Sequence, residues 1–490
     1  MNQSSPLARR EFLKRMAALS TLGSAAPLAL NLAGIGAASA QVANDYRAIV
    51  CLFMFGGNDH FNMLMPYDLA AHTDYAAARG GLQSAGGLAY TRDALTATRF
   101  SPLTAQANGS EFAFCPSMAA LHGLYQDKHL AVLGNIGPLV TPTNRDQYRA
   151  ASVPLPPKLF SHNDQQSVWQ AYASEGVKQG WGGRMGDLLA SQNSSSVFTA
   201  ISAAGNAVFL TGNSIRQYQI STRGATKVSA LGTRPFGIPS SAGPAAIDAL
   251  QQIITDSGNT STSLLELDHA DVVKRSIGAA EIVTTALDGV PTTSAGIALP
   301  AEIAGSGLAQ QLQVVARLIA ARGSTGTRRQ VFFVSIGGFD THDNQITTLQ
   351  DDASAGRIGL HGTVARAIDY FYKATASLGV QNNVTLFTAS DFGRTLTSNG
   401  DGSDHGWGAH HVVVGGAVKG GDIYGTMPLT RLHTTTAANP QDSGSGRLIP
   451  TTPIDQLAAT LGAWFGVSAG DYPLIAPNLG NFSPSLGFMG

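Results

Sequence analysis

The sequence predicts an α/β fold, a three-layer α/β/α sandwich with a mostly parallel central sheet. Continuous apolar runs closed by glycine, such as Tyr46 to Asp59, are typical of strands buried on both faces of such a sheet. A run with helical spacing separates two of them, which predicts a strand–helix–strand unit with parallel strands. With 43% hydrophobic and only 13% charged residues among 490, the chain can bury a large core.

The N-terminus has the pattern of an export signal. Arg9 and Arg10 stand in "ARREFLKRM", and an Ala, Leu and Gly-rich stretch leads to a small-residue cleavage site at Ala38 to Ala40. The paired arginines resemble a twin-arginine signal. An amphipathic first helix that ends in a linker is the alternative. We therefore expect residues 1–40 to be removed, the twin-arginine export machinery to be a partner, and the mature chain to be periplasmic or secreted.

Charge and cysteine content exclude several classes of protein. The formal net charge is -1, and no Lys/Arg-rich run stands out beyond the N-terminus, so nucleic acid and anionic membrane are not expected partners. No apolar run after the signal is long enough to span a bilayer. Cys51 and Cys115 allow one disulfide at most, and Cys51 lies in an apolar run where a free cysteine acts as a small hydrophobe.

The mature chain, 41–490, is predicted to be a single domain. The Ser, Thr and Gly-rich stretch at about 195–300 is expected to be a peripheral or cap region, with a helical piece around Leu250 to Ile254. Gly307 to Arg322 is expected to form a helix on the sheet. Further strands are predicted in the apolar runs near Leu130, Phe332, Leu386 and Val413. Between the runs near Phe332 and Leu386, a helix is predicted from the spacing of Leu360, Val364, Ile368, Phe371 and Leu378.

Three carboxylates follow predicted strands by only a few residues. They are Asp59, Asp340 and Asp391. Ligand sites in open parallel sheets form outside the carboxyl ends of the strands. We therefore expect these three side chains at one edge of one sheet.

The segment "VSIGGFDTHDNQ" places an imidazole two residues after one of these acids. Asp340 and His342 can reach one ion, and a carboxylate with a neutral imidazole suits Zn²⁺, Mn²⁺ or Fe²⁺ better than Ca²⁺. A solvated loop is the alternative for an isolated Asp-x-His.

A second group of candidate ligands lies between Ala389 and His411. Asp391 and His405 are the candidates, while Asp401 is expected to be a turn residue. A surface loop in which both Asp401 and Asp404 serve the turn is the alternative. His410 and His411 are expected to pack in the core or to support the ligands.

Ser161 precedes a run with helical spacing and is followed three residues later by Asp164. N-capping explains this pattern, and a nucleophile at a helix N-terminus near a metal is the functional alternative. Arg394 and Arg184 are candidates to clamp an oxyanion, or else structural salt-bridge partners.

Four ordered motifs resemble those of a family of exported bacterial proteins of unassigned function. They are Gly-Gly-Asn-Asp, Gly-Gly-x-Asp-Thr-His, Ser-Glu/Asp-Phe-Gly-Arg-Thr and Asp-His-Gly, which stand here at 56–59, 337–342, 390–395 and 404–406. That family more distantly resembles the alkaline phosphatase and sulfatase superfamily, which implies an alkaline-phosphatase-like fold.

The superfamily resemblance also implies roles for individual residues. Asp59 and Asp391 would share one metal site, and Ser161 would be the nucleophile. Asp340, His342 and His405 would hold the other ion. The chain departs from the phosphatase pattern because Phe392 stands where a histidine usually follows the second acid, and it lacks the Cys-x-Pro-x-Arg sulfatase signature.

The resemblance, together with the candidate ligands, implies an exported hydrolase of phosphate or sulfate esters that uses one or two divalent ions. Its substrate would be a small-molecule or polymeric ester. The alternative is a non-catalytic binding or assembly protein of the cell envelope that keeps the fold. A nucleotide-dependent enzyme is disfavoured because no Walker loop or dinucleotide glycine fingerprint is present.

Overall fold

The computed structural model describes residues 46–225, 245–249, 252 and 263–490. The predicted signal at 1–40 lies outside the described residues. So does the helical piece around Leu250 to Ile254, except for Gln252. In chain order the strands are β1 (Arg47–Met54), β2 (Leu64–Pro66), β3 (Arg99–Phe100), β4 (Phe112–Phe114), β5 (Leu130–Gly137), β6 (Ala200–Ser202), β7 (Tyr218–Ser221), β8 (Gly224–Ala225), β9 (Arg329–Ile336), β10 (Val384–Ser390), β11 (Ala409–Val414), β12 (Ile423–Gly425) and β13 (Thr452–Pro453).

The α-helices are numbered in the same way. They are α1 (Leu69–Ala78), α2 (Arg92–Leu95), α3 (Ala119–Gln126), α4 (Arg145–Arg149), α5 (His162–Ala171), α6 (Trp181–Leu189), α7 (Leu264–Asp288), α8 (Gly307–Ala320), α9 (Arg322–Thr325), α10 (Gln345–Leu349), α11 (Leu360–Ser377), α12 (Ile454–Phe465) and α13 (Tyr472–Ile475).

A ten-stranded sheet forms the centre, in the order β12-β5-β11-β10-β1-β9-β6-β7-β8, with β13 paired to β5. Strands β10, β1, β9, β6 and β7 are parallel to one another, while β11 runs antiparallel to both β10 and β5. A small sheet, β2-β4-β3, lies apart from it. The predicted fold class, an α/β fold with a mostly parallel sheet and flanking helices, is confirmed.

Strand β1 is apolar after Arg47 because both of its faces are buried. Ile49, Cys51 and Phe53 belong to a core cluster with residues of α6 and α12, and the alternate residues Ala48 and Val50 are fully buried too. Because successive side chains point to opposite faces, both faces of the strand are covered.

The predicted strand–helix–strand unit is formed by β9, α11 and β10. Both strands pair with β1 in parallel, so β1 lies between them, with Leu52 opposite Val334 on one side and Thr388 on the other. Helix α11 buries Val364, Ile368 and related residues, as its spacing predicts. Three adjacent strands therefore end at the same edge of the sheet, and each is followed by one of the three predicted carboxylates.

The region at 195–300 contributes strands to the sheet. Strands β6, β7 and β8 extend the edge beyond β9. Helix α7 follows and contacts β8 and α8. The 226–244 part of this Ser, Thr and Gly-rich stretch lies outside the described residues.

Among the described residues, no helix combines the length and the apolar character that a bilayer crossing requires. Cys51 and Cys115 are both buried free thiols, so the structure does not contain the disulfide that the sequence allowed.

Candidate metal centre

The loops after β1, β9 and β10 pack closely because two glycines permit it. Gly56 and Gly57 have φ values of +113° and +84°. A Cβ atom on Gly56 would lie 2.3 Å from the backbone nitrogen of Asp340, and one on Gly57 would lie 2.4 Å from the Phe392 ring. The Gly-Gly pair therefore brings the ends of three strands together around one site.

Asp340, His342 and His405 meet at this edge. The Nε2 atoms of His342 and His405 are 3.0 Å apart, and they lie 3.1 Å and 3.4 Å from Asp340 Oδ1. All three side chains are partly exposed, so the cluster opens to solvent. Residues of the Gly-Gly-x-Asp-Thr-His motif and of the Asp-His-Gly motif thus lie together.

Hydrogen bonds at Nδ1 hold the imidazoles of His342 and His405 with their Nε2 atoms directed at Asp340. His342 Nδ1 lies 3.2 Å from Asp404 Oδ1, and His405 Nδ1 lies 2.8 Å from the carbonyl oxygen of Phe160. These oxygens only accept hydrogen bonds, so each Nδ1 carries a proton, and each ring in its neutral form presents the lone pair of Nε2. Burial lowers the pKa of His405, which favours the neutral form.

A third imidazole, His162, reaches the cluster from the first residue of α5. Its Nδ1 donates to Asp391 Oδ2 at 2.6 Å, and its Nε2 is 3.3 Å from Asp340 Oδ2. Gln166, one turn later, donates to the same Asp391 oxygen at 2.9 Å. The hydrogen bond to Asp391 raises the pKa of His162. The sequence analysis missed His162, although it directly follows Ser161 at the predicted helix start.

Arg394 is fully buried beneath the cluster. Its Nη1 donates to Asp340 Oδ1 at 2.7 Å and to the carbonyl of Gly56 at 3.2 Å, and its Nη2 donates to the carbonyl of Ser403. Partial burial by itself would raise the pKa of Asp340, but the hydrogen bond and charge of Arg394 outweigh it and hold that pKa below its usual value. The structure therefore directs Arg394 at Asp340 and at backbone carbonyls.

Asp59 follows β1 at the same edge, but its carboxylate is directed at other partners. Its Oδ2 accepts hydrogen bonds from Arg79 and, at 2.6 Å, from Gln345, and all three side chains are fully buried. Burial raises the pKa of Asp59, while the charge of Arg79 opposes that rise. The structure thus brings Asp340, His342, Asp391 and His405 together and places Asp59 in an ion pair beside them.

Ser161 is the N-cap residue of α5, and its hydroxyl donates to Asp164 Oδ2 at 2.9 Å. The Phe392 ring packs against the imidazoles, with centroids 4.9 Å from His162 and 4.6 Å from His405. Arg184 lies over the ring of Tyr172, 5.9 Å from its centroid, and donates to the carbonyl of Ala171.

The remaining polar candidates of the sequence have local partners. His410 accepts from the backbone N–H of Asn135, and His411 is bonded to Thr388. Both are buried, and burial lowers the pKa of each to about 3. Asp401 accepts from the backbone N–H of Asn344, in the loop that follows β9.

The donor set suits a divalent metal ion. Ligand atoms of His162, Asp340 and His405 all lie within 4.8 Å of one another. Imidazole nitrogen and carboxylate oxygen together are typical ligands of Zn²⁺, Mn²⁺ and Fe²⁺. A tetrahedral ion with bonds of about 2.05 Å needs ligand atoms about 3.3 Å apart, and the separations of 3.0, 3.1 and 3.4 Å match that spacing.

A family model described as a protein of unknown function (DUF1501) matches residues 46–452. The match covers most of the chain, so the chain belongs to that family. No curated protein matches it.

Three solved structures show a distant similarity. The lipoteichoic acid synthase LtaP from Listeria monocytogenes is 8% identical with a TM-score of 0.33, over 90% of this chain and 76% of LtaP. Ps i-CgsB in complex with k-i-k-neocarrahexaose is 10% identical with a TM-score of 0.35, over 90% of this chain and 78% of that chain. The PsFucS1 sulfatase from Pseudoalteromonas sp. is 11% identical with a TM-score of 0.30, over 81% and 68%. TM-scores below 0.5 establish neither a shared activity nor shared site residues.

Proposed function

We propose that this DUF1501 member is a metal-dependent hydrolase of phosphate or sulfate esters. The observation that carries the proposal is the convergence of Asp340, His342 and His405, with both Nδ1 atoms fixed by acceptors and both Nε2 atoms directed at the carboxylate. Outer acceptors of this kind are typical of metal-binding histidines. The motif resemblance to alkaline phosphatases and sulfatases supports the choice of ester.

In this proposal, each residue around the ion has a distinct task. Asp340, His342 and His405 hold a divalent ion, with Zn²⁺, Mn²⁺ or Fe²⁺ favoured by the ligand types. A bound ion would polarise the ester and lower the pKa of a water molecule. Arg394 positions Asp340 through its 2.7 Å hydrogen bond, and Asp404 fixes the ring of His342.

Ser161 remains the proposed nucleophile by resemblance only, because its hydroxyl donates to Asp164. Water is the alternative attacking group. We propose further that the twin-arginine pattern at 1–40 exports the chain to the periplasm or beyond.

The experiment is turnover of aryl phosphate and aryl sulfate esters by mature protein, residues 41–490, before and after treatment with a chelator. We expect one ester class to be hydrolysed and the chelator to abolish turnover until metal is restored. His342→Ala should lower turnover by more than the about 100-fold that loss of an outer hydrogen bond can cause. His269→Ala, which removes an exposed imidazole on α7, is the matched control and should not change turnover.

A second candidate function is a non-catalytic binding or assembly protein. Phe392 favours it, because its ring stands beside His162 and His405 where a further ligand is expected and it cannot bind metal. Bound metal together with no turnover of either ester class would support this alternative and contradict the hydrolase.

A further inference from the structure

We propose that His162 is a fourth protein ligand of a single metal ion, and that Asp391 orients His162 instead of binding metal itself. This inference rests on the proposed metal centre and changes its composition. The motif resemblance assigned Asp391 to a second metal site with Asp59 and gave His162 no role. The structure assigns one ion to Asp340 and three histidines.

The surroundings of His162 Nε2 are those of an unused ligand atom. The atom is buried, and among the residues that the structure describes it has no hydrogen-bond partner. It nevertheless lies 3.3 Å from Asp340 Oδ2, within the group whose ligand atoms are all less than 4.8 Å apart. A buried polar atom without a partner is unfavourable unless something absent from the protein binds it. Asp59 Oδ1 and Asp391 Oδ1 are also buried without a partner, but the other oxygen of each carboxylate is already bonded, to Arg79 and to His162.

The other side of the imidazole is held in the same way as in His342 and His405. Nδ1 of His162 donates to Asp391 at 2.6 Å, as His342 donates to Asp404 and His405 to the carbonyl of Phe160. Gln166 binds the same Asp391 oxygen and fixes the carboxylate in turn. Three imidazoles from three segments therefore present Nε2 to one carboxylate.

Asp340 lies between the three rings. Its Oδ1 faces His342 and His405, and its Oδ2 faces His162. The separation of 3.3 Å between His162 Nε2 and Asp340 Oδ2 equals the spacing of about 3.3 Å that a tetrahedral ion requires. His162 therefore lies at ligand spacing from the same carboxylate as the other two histidines, through the other oxygen of Asp340.

A second ion at Asp59 is disfavoured by Arg79. The guanidinium is fully buried and bonded to Asp59 Oδ2, which also accepts from Gln345. A divalent cation at this carboxylate would lie beside a fixed positive charge in a region that excludes water, where like charges repel strongly. Arg79 therefore already neutralises Asp59, the residue that the family resemblance assigned to a second metal site.

The test is a titration of metal-free mature protein with Zn²⁺ against a competing chelator, followed by the visible absorption of the Co²⁺-loaded protein. We expect one Zn²⁺ per chain in the wild type. His162→Gln should weaken Zn²⁺ binding by more than about 100-fold and change the Co²⁺ spectrum, while Asp391→Asn should weaken it by about 10–100-fold and keep one ion per chain. Asp59→Asn should still bind one ion per chain, and the exposed-imidazole control His269→Ala should bind one ion with unchanged affinity.

Two Zn²⁺ ions per wild-type chain, with the second lost in Asp59→Asn, would overturn the inference. So would His162→Gln binding Zn²⁺ as tightly as the wild type while His342→Ala does not. These results would leave the proposed hydrolase intact, whereas a wild type that binds no metal would contradict both. If His162→Gln fails to fold, Asp391→Asn and the wild-type Co²⁺ spectrum decide, because a wild-type spectrum free of four-coordinate features would also overturn the inference.

Discussion

Replacement of Arg79 by methionine should destabilise the protein strongly, because it leaves Asp59 as a buried charge without its counterion. Both side chains are fully buried, and Gln345 would be the remaining donor to Asp59 Oδ2. Breaking a buried ion pair by removing one partner costs about 3–5 kcal/mol, so we expect the free energy of unfolding to fall by that amount at pH 8.

The loss should depend on pH in a defined direction. Burial already raises the pKa of Asp59, and without Arg79 it should rise further. The folded state then keeps a proton that the unfolded state releases, so the stability of the variant should fall as pH rises above the usual pKa of an aspartate. The cost of Arg79→Met should therefore be smaller at pH 5 than at pH 8.

Urea unfolding in the presence of a chelator, followed by circular dichroism, measures these differences without any contribution from bound metal. The matched variant is Asp59→Asn with Arg79→Met, which removes both charges and should recover at least about 1 kcal/mol relative to Arg79→Met alone. A loss below about 1 kcal/mol for Arg79→Met, or no recovery in the double variant, would refute the argument that Asp59 and Arg79 form a structural ion pair.

Three further predictions concern acid stability, loop packing and metal. Burial lowers the pKa of three histidines, His361, His410 and His411, to about 3, so the unfolded chain alone takes up protons as pH falls below 6.5. Each should remove about 1.3 kcal/mol of stability between pH 7 and pH 5.5, and His361→Gln should show a shallower pH dependence by that amount in urea unfolding. Gly57→Ala should destabilise the protein by about 2 kcal/mol or more, because its Cβ would meet the Phe392 ring in a backbone conformation unfavourable for alanine. The control Gly123→Ala, whose Cβ meets open space inside α3, should be neutral or stabilising. Equal melting temperatures for the two variants would contradict this prediction. Saturation with Zn²⁺ at 100 times its dissociation constant should add about 2.7 kcal/mol of stability, and an unchanged melting temperature would argue against specific binding.

The central sheet could be predicted from the sequence because its strands are buried on both faces. Strand β1 is apolar after Arg47, β9 is apolar from Val331 to Val334, and glycines soon after both strands mark where the chain turns. Strand β10 mixes threonine and serine with apolar residues. The parallel arrangement followed from the helix between β9 and β10. The positions of Asp340 and Asp391 at one edge then followed from the rule for parallel sheets.

Other features leave no signal in a single sequence. The direction of β11 was open, because an apolar run has the same composition whether it runs parallel or antiparallel. The strands of the small sheet are two or three residues long, too short for a period to show. Arg79 lies 20 residues from Asp59 with no spacing that relates them, and their contact depends on how the loop after β1 meets α1.

His162 was missed for a related reason. A histidine at a helix start gives no indication of its target, and its contact with Asp391 joins residues 229 positions apart. The partners that fix His405 and His342 are a backbone carbonyl and a loop aspartate. These acceptors orient the two imidazoles by binding Nδ1, and only the folded chain identifies them.

The most direct test of the metal centre is a crystal structure of the mature protein grown with zinc, with anomalous scattering recorded at the zinc edge. The account predicts one strong anomalous peak within bonding distance of Asp340 and of Nε2 of His342 and His405. An absent peak at these residues, or a peak at Asp59 instead, would contradict it.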